Sequence, residues 1–203
     1  MVVDAVKPAA RKMLEAKDFK LIDYFNEYNQ IIIPIYQRGY SWEDKNMEVF
    51  IKDIYENNNY YIGNIMSFPN HEYAELIDGQ QRIISAFLIL CCLKNKFELD
   101  EDFSFLSKGK KIKIETRAPS DDSRLLEFIY NDDIAKKYNL RREVREYNKA
   151  FKTIKDNDFD PQILMNKLLD VIIVEIKFVK TETENMIKDP KEPKHLDSNK
   201  KGY

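Results

Sequence analysis

Apolar positions recur along this chain with two periods, and the period changes at definable places. Leu21, Ile22, Phe25 and Tyr28 fall at helical spacing, so one apolar stripe on a helix is expected over residues 18–28. Before it, residues 7–17 read as a helix or arm with Pro8 near the first turn. Ile31–Ile35 is a β-branched run, and Pro34 confines that strand to an edge or a terminus. Residues 45–55 return to the helical period. Tyr60–Phe68 and Tyr73–Ile77 read as strands, and Pro69-Asn70-His71 turns them into a hairpin. Ile83, Ala86, Phe87, Leu90 and Cys91 then fit a helix. Ile84, Leu88 and Leu93 make it apolar on most sides, as a buried helix is.

The second half is more helical. Lys111–Glu115 alternates as a short strand. Ser120-Asp121-Asp122 offers an N-cap for a helix over 123–138, and Val144, Tyr147 and Phe151 mark another over 140–154. Asp160-Pro161 is a helix start with proline at the first helical position. Val171–Ile176 is a buried strand of the β-branched kind. The pattern predicts an α+β fold. A core with a small mixed sheet occupies 1–98, and a mainly helical portion with a closing strand occupies 99–179. Residues 180–203 hold Pro190, Pro193 and many charges with few apolar positions, and are expected to be disordered or loosely attached.

Composition narrows the class. The 203 residues are 43% hydrophobic and 33% charged, ordinary for a soluble globular protein that can bury a real core. A net charge of −2 is not that of a dedicated DNA-binding domain. Nucleic-acid contact would then fall to local patches, of which Lys108–Lys113 and Arg141-Arg142 with Arg145 are two, or to another part of the protein. Solvated faces explain both patches more simply. Cys91 and Cys92 are adjacent in an apolar helix and read as small buried hydrophobes, which fits a reducing cytoplasm. His71 and His195 stand in polar contexts far apart, so no zinc spacing exists. Asp121/Asp122 and Asp132/Asp133 are better explained by caps and solvent than by metal. Met1–Asp4 shows no signal peptide, and 83–93 is too short to span a bilayer, so no membrane partner is expected.

Two segments carry candidate chemistry. Ile77-Asp78-Gly79-Gln80-Gln81-Arg82 joins a strand to the apolar helix. The first N–H groups of that helix have no partner within it and form, with the positive end of its dipole, an anion site. Asp78 is placed as N-cap and Gln81 as its capping-box partner. Gly79 permits close approach, and Arg82 can grip an oxyanion with two hydrogen bonds. A well-capped helix after a tight turn is the plain alternative. The other segment, Ile31 to Trp42, delivers Tyr36, Gln37, Arg38, Tyr40 and Trp42 into a loop after the strand, where the rings suit stacking on a base or plain core packing. No Walker-type glycine–lysine loop is present, which excludes a P-loop NTPase.

Ile33-Pro34-Ile35-Tyr36-Gln37-Arg38-Gly39-Tyr40-Ser41-Trp42, followed some forty residues on by a hydrophobic strand and Asp78-Gly79-Gln80-Gln81-Arg82, resembles the N-terminal domain of the GmrSD modification-dependent restriction endonucleases. The likeness runs from about Phe19 to Phe97 and implies a ParB/sulfiredoxin-like core. It also implies a phage-defence module that binds and hydrolyses nucleoside triphosphates, with DNA cleavage by a separate C-terminal HNH nuclease part. Carried over by position, Tyr36, Gln37, Arg38, Gly79 and Arg82 would bind nucleotide, and Asp78, Gln80, Gln81 and Arg82 would act in catalysis. Asp78 would hold Mg²⁺ or orient water, Gln80 or Gln81 would place the attacking water, and both arginines would neutralise phosphate oxygens. DNA would be reached through a partner or an absent nuclease domain, and a homo-oligomer is compatible. After Val171–Ile176 the chain departs from the family's asparagine–arginine–glycine motif, as a truncated piece, a naturally short version or a disrupted gene would. A non-catalytic adaptor for nucleotide, DNA or partner, and an inactive remnant, therefore stand as alternatives.

Overall fold

A computed structural model describes residues 14–70, 72–117 and 124–178. Expectations for residues 7–13, His71, Ser120-Asp121-Asp122 and the tail from 180, His195 included, lie outside these residues. The fold is α+β. Six strands form one mixed sheet: β1 (Leu14–Lys20), β2 (Gln30–Ile33), β3 (Tyr61–Pro69), β4 (Tyr73–Asp78), β7 (Ile114–Thr116) and β8 (Ile172–Phe178). They lie in the order β1-β8-β3-β4-β2-β7. The short pair β5 (Ser107–Lys108) and β6 (Lys111–Ile112) forms a separate ribbon. The helices are α1 (Leu21–Glu27), α2 (Asp44–Glu56), α3 (Gln80–Lys96), α4 (Leu125–Tyr130), α5 (Arg142–Asp156) and α6 (Pro161–Leu169).

The expected hairpin is present. β3 and β4 run antiparallel from Pro69↔Ala74 to Met66↔Asp78, with a bulge between Met66 and Ser67. Pro34 falls just past the end of β2, so that strand takes the terminus solution. It is an interior strand, parallel to β4 on one side and to β7 on the other. Asp160 starts α6 as its spacing requires, its carboxylate accepting from the N–H groups of Gln162 at 2.8 Å and Ile163 at 2.9 Å.

Two helical expectations are corrected. Residues 14–20 form β1, paired with β8 from Leu14↔Phe178 to Lys20↔Ile172, and the helix is confined to 21–27. Pairing with a strand about 150 residues away overrides the local period. The helix expected over 123–138 ends at Tyr130. Asp132 takes a left-handed conformation with φ 56°, and Asp133 N–H bonds back to Phe128, closing the helix before a 3-10 turn at Lys136–Tyr138.

The last expected strand is present as β8, with its one carboxylate turned inward. Ile173 and Glu175 are fully buried, while Ile172, Val174 and Ile176 on the opposite side are half-buried. Alternation puts the one carboxylate of the run on the buried side with Ile173. It is accommodated there because Tyr28 Oη donates to Glu175 at 3.0 and 2.9 Å, Ser67 Oγ donates at 2.6 Å, and Lys177 Nζ stands 3.4 Å away.

The core centres on α3, which is buried from Ile83 to Leu93 and meets α4, α5 and α6. Its cysteines are free and buried. Burial pushes both thiols up, Cys92 from the ordinary 9 to about 12. Neither is a thiolate at neutral pH, so a disulfide-exchange reagent should label no cysteine in the native protein and both after unfolding in urea. A thiol whose folded pKa is raised contributes fully below about pH 9, and that contribution is lost as pH rises toward 12. Among the described residues, no helix is long and apolar enough to cross a membrane.

Candidate functional site

The two sequence motifs meet at the N-terminus of α3. The loop after β2 is stitched to this helix and to the end of β4 by three glutamines. Gln37 Nε2 donates to the carbonyl of Ile77 at 2.6 Å, and Gln80 Nε2 donates to the carbonyl of Arg38 at 2.9 Å. Gln81 uses both ends of its amide: Oε1 accepts from Ser41 N–H at 2.8 Å and Nε2 donates to Gly39 at 3.3 Å. Deeper in, Tyr40 Oη and Ser85 Oγ share a hydrogen bond of 2.7 Å, and burial holds the Tyr40 phenol well above its ordinary range. From the far half of the chain, Arg142 Nη1 donates to the carbonyl of Ser41 at 2.7 Å and so fixes the same loop from α5.

The cap differs from the expectation. Gly79 is the N-cap residue, with φ 90°, and no side chain caps the helix. Asp78 is the last residue of β4, one position too early, and its side chain is 64% exposed. The capping box fails for the same reason, since Gln81 is committed to the loop. Only glycine fits at 79, where a Cβ would stand 3.0 Å from Ile65 Cγ1 and 3.3 Å from the Asn64 carbonyl in a left-handed backbone.

Arg82 follows a particular path. Its Nη1 donates to the carbonyl of Ile62 at 3.0 Å, and Nη2 lies 3.8 Å from Asp78 Oδ2. This path crosses Gly63 (φ 108°) so closely that a Cβ there would sit 1.9 Å from Nη1. The guanidinium forms part of the wall of a cavity of about 350 Å³ between α2 and the start of β3. Trp42, Lys45, Asn46, Asp53, Tyr60 and Tyr61 are also in that wall. Trp42 stands edge-on to Phe50 at 5.2 Å, and Tyr60 Oη donates to Asp53 at 3.0 Å.

The structure thus brings together Gln37, Gln80, Gln81 and the backbone of Arg38, and it pairs Asp78 with Arg82. Arg38 is exposed and is absent from the cavity wall, while Tyr36 is 61% exposed and donates to Glu75 at 3.1 Å. Gln80 keeps one buried amide oxygen without a hydrogen-bond partner among the described residues. Among those residues, no group of three acids, histidines or cysteines forms a ready-made metal cage. Mg²⁺ is commonly held by one or two carboxylates plus substrate phosphates and water, and Asp78 fits as such a single ligand.

Sequence reasoning missed Gly63, Lys45, Asn46, Asp53, Tyr60, Tyr61 and the loop contact of Arg142. The polar positions of α2 at helical spacing were the one available signal for the cavity. Residues 21–195 match a family model described as GmrSD restriction endonuclease, N-terminal domain. No curated protein matches the chain.

Proposed function

The chain belongs to the GmrSD restriction endonuclease N-terminal domain family and so is a component of a restriction or phage-defence system, and from this premise we propose that the α3 N-terminus and the adjoining cavity form one nucleoside-triphosphate site. The observation that carries the reading is the position of Arg82. The same guanidinium belongs to the motif at the helix start, pairs with Asp78 and lines the cavity that holds Trp42.

The roles follow from charge and shape. Trp42, Tyr60 and Tyr61 offer rings for the base. Lys45 and Arg82 supply positive charge for phosphate oxygens, and the positive end of the α3 dipole adds to it. Arg38 is exposed on the loop outside the cavity wall, and its assignment to the phosphates rests on the family motif. Mg²⁺, when bound through Asp78, neutralises charge that develops on the phosphates. Gln80, at the start of α3 two residues before Arg82, would place the attacking water. Gln37 and Gln81 are positioning residues, because their amides hold the loop against α3 and β4.

A thermal-shift series with GTP, ATP, CTP and UTP, with and without Mg²⁺, tests the reading. Ligand at a hundred times its Kd stabilises by about 2.7 kcal/mol. Asp78→Ala separates ligand binding from stability. Its side chain caps nothing and is largely exposed, so without nucleotide its stability should stay within about 0.5 kcal/mol of wild type. The Mg²⁺-dependent part of the shift should vanish. No shift of the wild type with any nucleotide would end the proposal, and a shift without phosphate release would select a non-catalytic nucleotide adaptor.

A further inference from the structure

α5 is amphipathic in an unequal way. Val144, Tyr147, Ala150 and Ile154 are buried, and the acids Glu143 and Glu146 lie buried on the same helix. Arg145, Asn148, Lys152 and Lys155 are exposed. Arg145, Asn148, Lys149 and Lys152 line an open depression of about 310 Å³. With Lys155, the four cations run along about 15 Å of helix at 1.5 Å per residue.

Few acids oppose them. Glu48 of α2 accepts from Lys149 at 3.0 Å and from Lys52 at 2.9 Å, one carboxylate shared by two ammonium groups, which hold it at about 2. Arg145 and Lys152 have no ion-pair partner among the described residues, and Lys155 lies 5.0 Å over the Phe151 ring. Asp156 is the exposed acid at the far end. The chain carries a net charge of −2, so this row is a local reversal of sign.

We infer that this face of α5 docks duplex DNA through its sugar–phosphate backbone. A straight row of cations with an amide among them suits a rigid, evenly charged rod, and such contacts position without reading sequence. An amphipathic membrane helix sets apolar side chains beside its cations, and those of α5 are spent inside the fold. A protein partner would want an aromatic anchor in a central pocket, and the depression has none. Two contacts tie this face to the loop and cavity described above: Arg142 at the start of α5 holds the Ser41 carbonyl, and Lys149 reaches Glu48 on α2.

The test is fluorescence anisotropy of the full chain with a labelled duplex DNA two helical turns long, titrated at several salt concentrations. No nucleotide is added, so the result is independent of the nucleotide-site reading. Arg145→Ala/Lys152→Ala should weaken binding at least tenfold and lower the slope of log K against log salt by about 2. Lys108→Ala/Lys111→Ala, on the β5–β6 ribbon, should leave binding within twofold. Absence of wild-type binding at low salt would overturn the inference. So would equal binding by the α5 variant, or an equal loss in the ribbon variant. Phosphatidylserine vesicles run in parallel should not be bound, and capture of them that depends on Arg145 and Lys152 would assign the face to a membrane instead.

Discussion

Glu175→Ala is expected to lose about 3–5 kcal/mol of folding stability, the cost of breaking a buried ion pair by removing one partner. Glu175 is fully buried, and its two oxygens accept from Tyr28 and Ser67 with Lys177 at 3.4 Å. Alanine leaves two hydroxyl donors without their acceptor, leaves the Lys177 ammonium with Glu27 alone at 3.6 Å, and opens a void beside them. Domains of this kind hold only about 5–15 kcal/mol in total, so a large part of the reserve goes. Glu175→Gln keeps the shape and one acceptor oxygen and should cost about 1–2 kcal/mol. Urea unfolding followed by the fluorescence of the single tryptophan, Trp42, gives both values. The midpoint should fall with little change in slope. An alanine variant within 1 kcal/mol of wild type, roughly the mean for any substitution, would show that the cluster contributes little.

The second large effect is on the ligand. Gly63→Ala should abolish the nucleotide response as fully as Arg82→Ala does, a loss of a hundredfold or more in affinity, although residue 63 touches no ligand in the proposed site. An alanine Cβ would occupy the space of Arg82 Nη1, so the guanidinium must leave the Ile62 carbonyl and the cavity wall. The left-handed backbone at φ 108° adds about 1–2 kcal/mol of strain in an L-residue. Titration calorimetry, with the melting temperature of each ligand-free variant beside it, separates the two consequences. The double variant should bind no worse than either single one, since both remove the same group. Wild-type affinity in Gly63→Ala would mean that the Arg82 head group does no work at the site.

What the sequence revealed follows the range of each signal. The β3–β4 hairpin, α3 and α6 were legible because their causes are local: a turn, a period and the Asp160 cap. β1 was not, because its partner is β8 at the far end of the chain. β8 was recognised as a strand, yet its apolar run hid the fact that Glu175 is the residue turned inward. At the site, the two motifs could be placed as one region, and the structure joins them through Gln37, Gln80 and Gln81. The cap was misplaced by one residue, since Asp78 still belongs to β4 and the left-handed turn falls on Gly79. The cavity wall escaped notice because α2 and the start of β3 contribute isolated side chains and no motif.

The place of β8 in the sheet has a consequence for synthesis. β3 pairs with β4 on one side and with β8 on the other, and β8 begins at Ile172 while β3 ends at Pro69. A ribosome adding about 5–20 residues per second needs roughly 5–20 s to make the intervening chain. Through that interval the nascent hairpin carries an open edge bearing Ile62 and Ile65, the kind of edge that recruits neighbouring chains. Crowded polysomes are therefore where this protein should be most exposed to aggregation, and slowing elongation after β4 should lower its soluble yield.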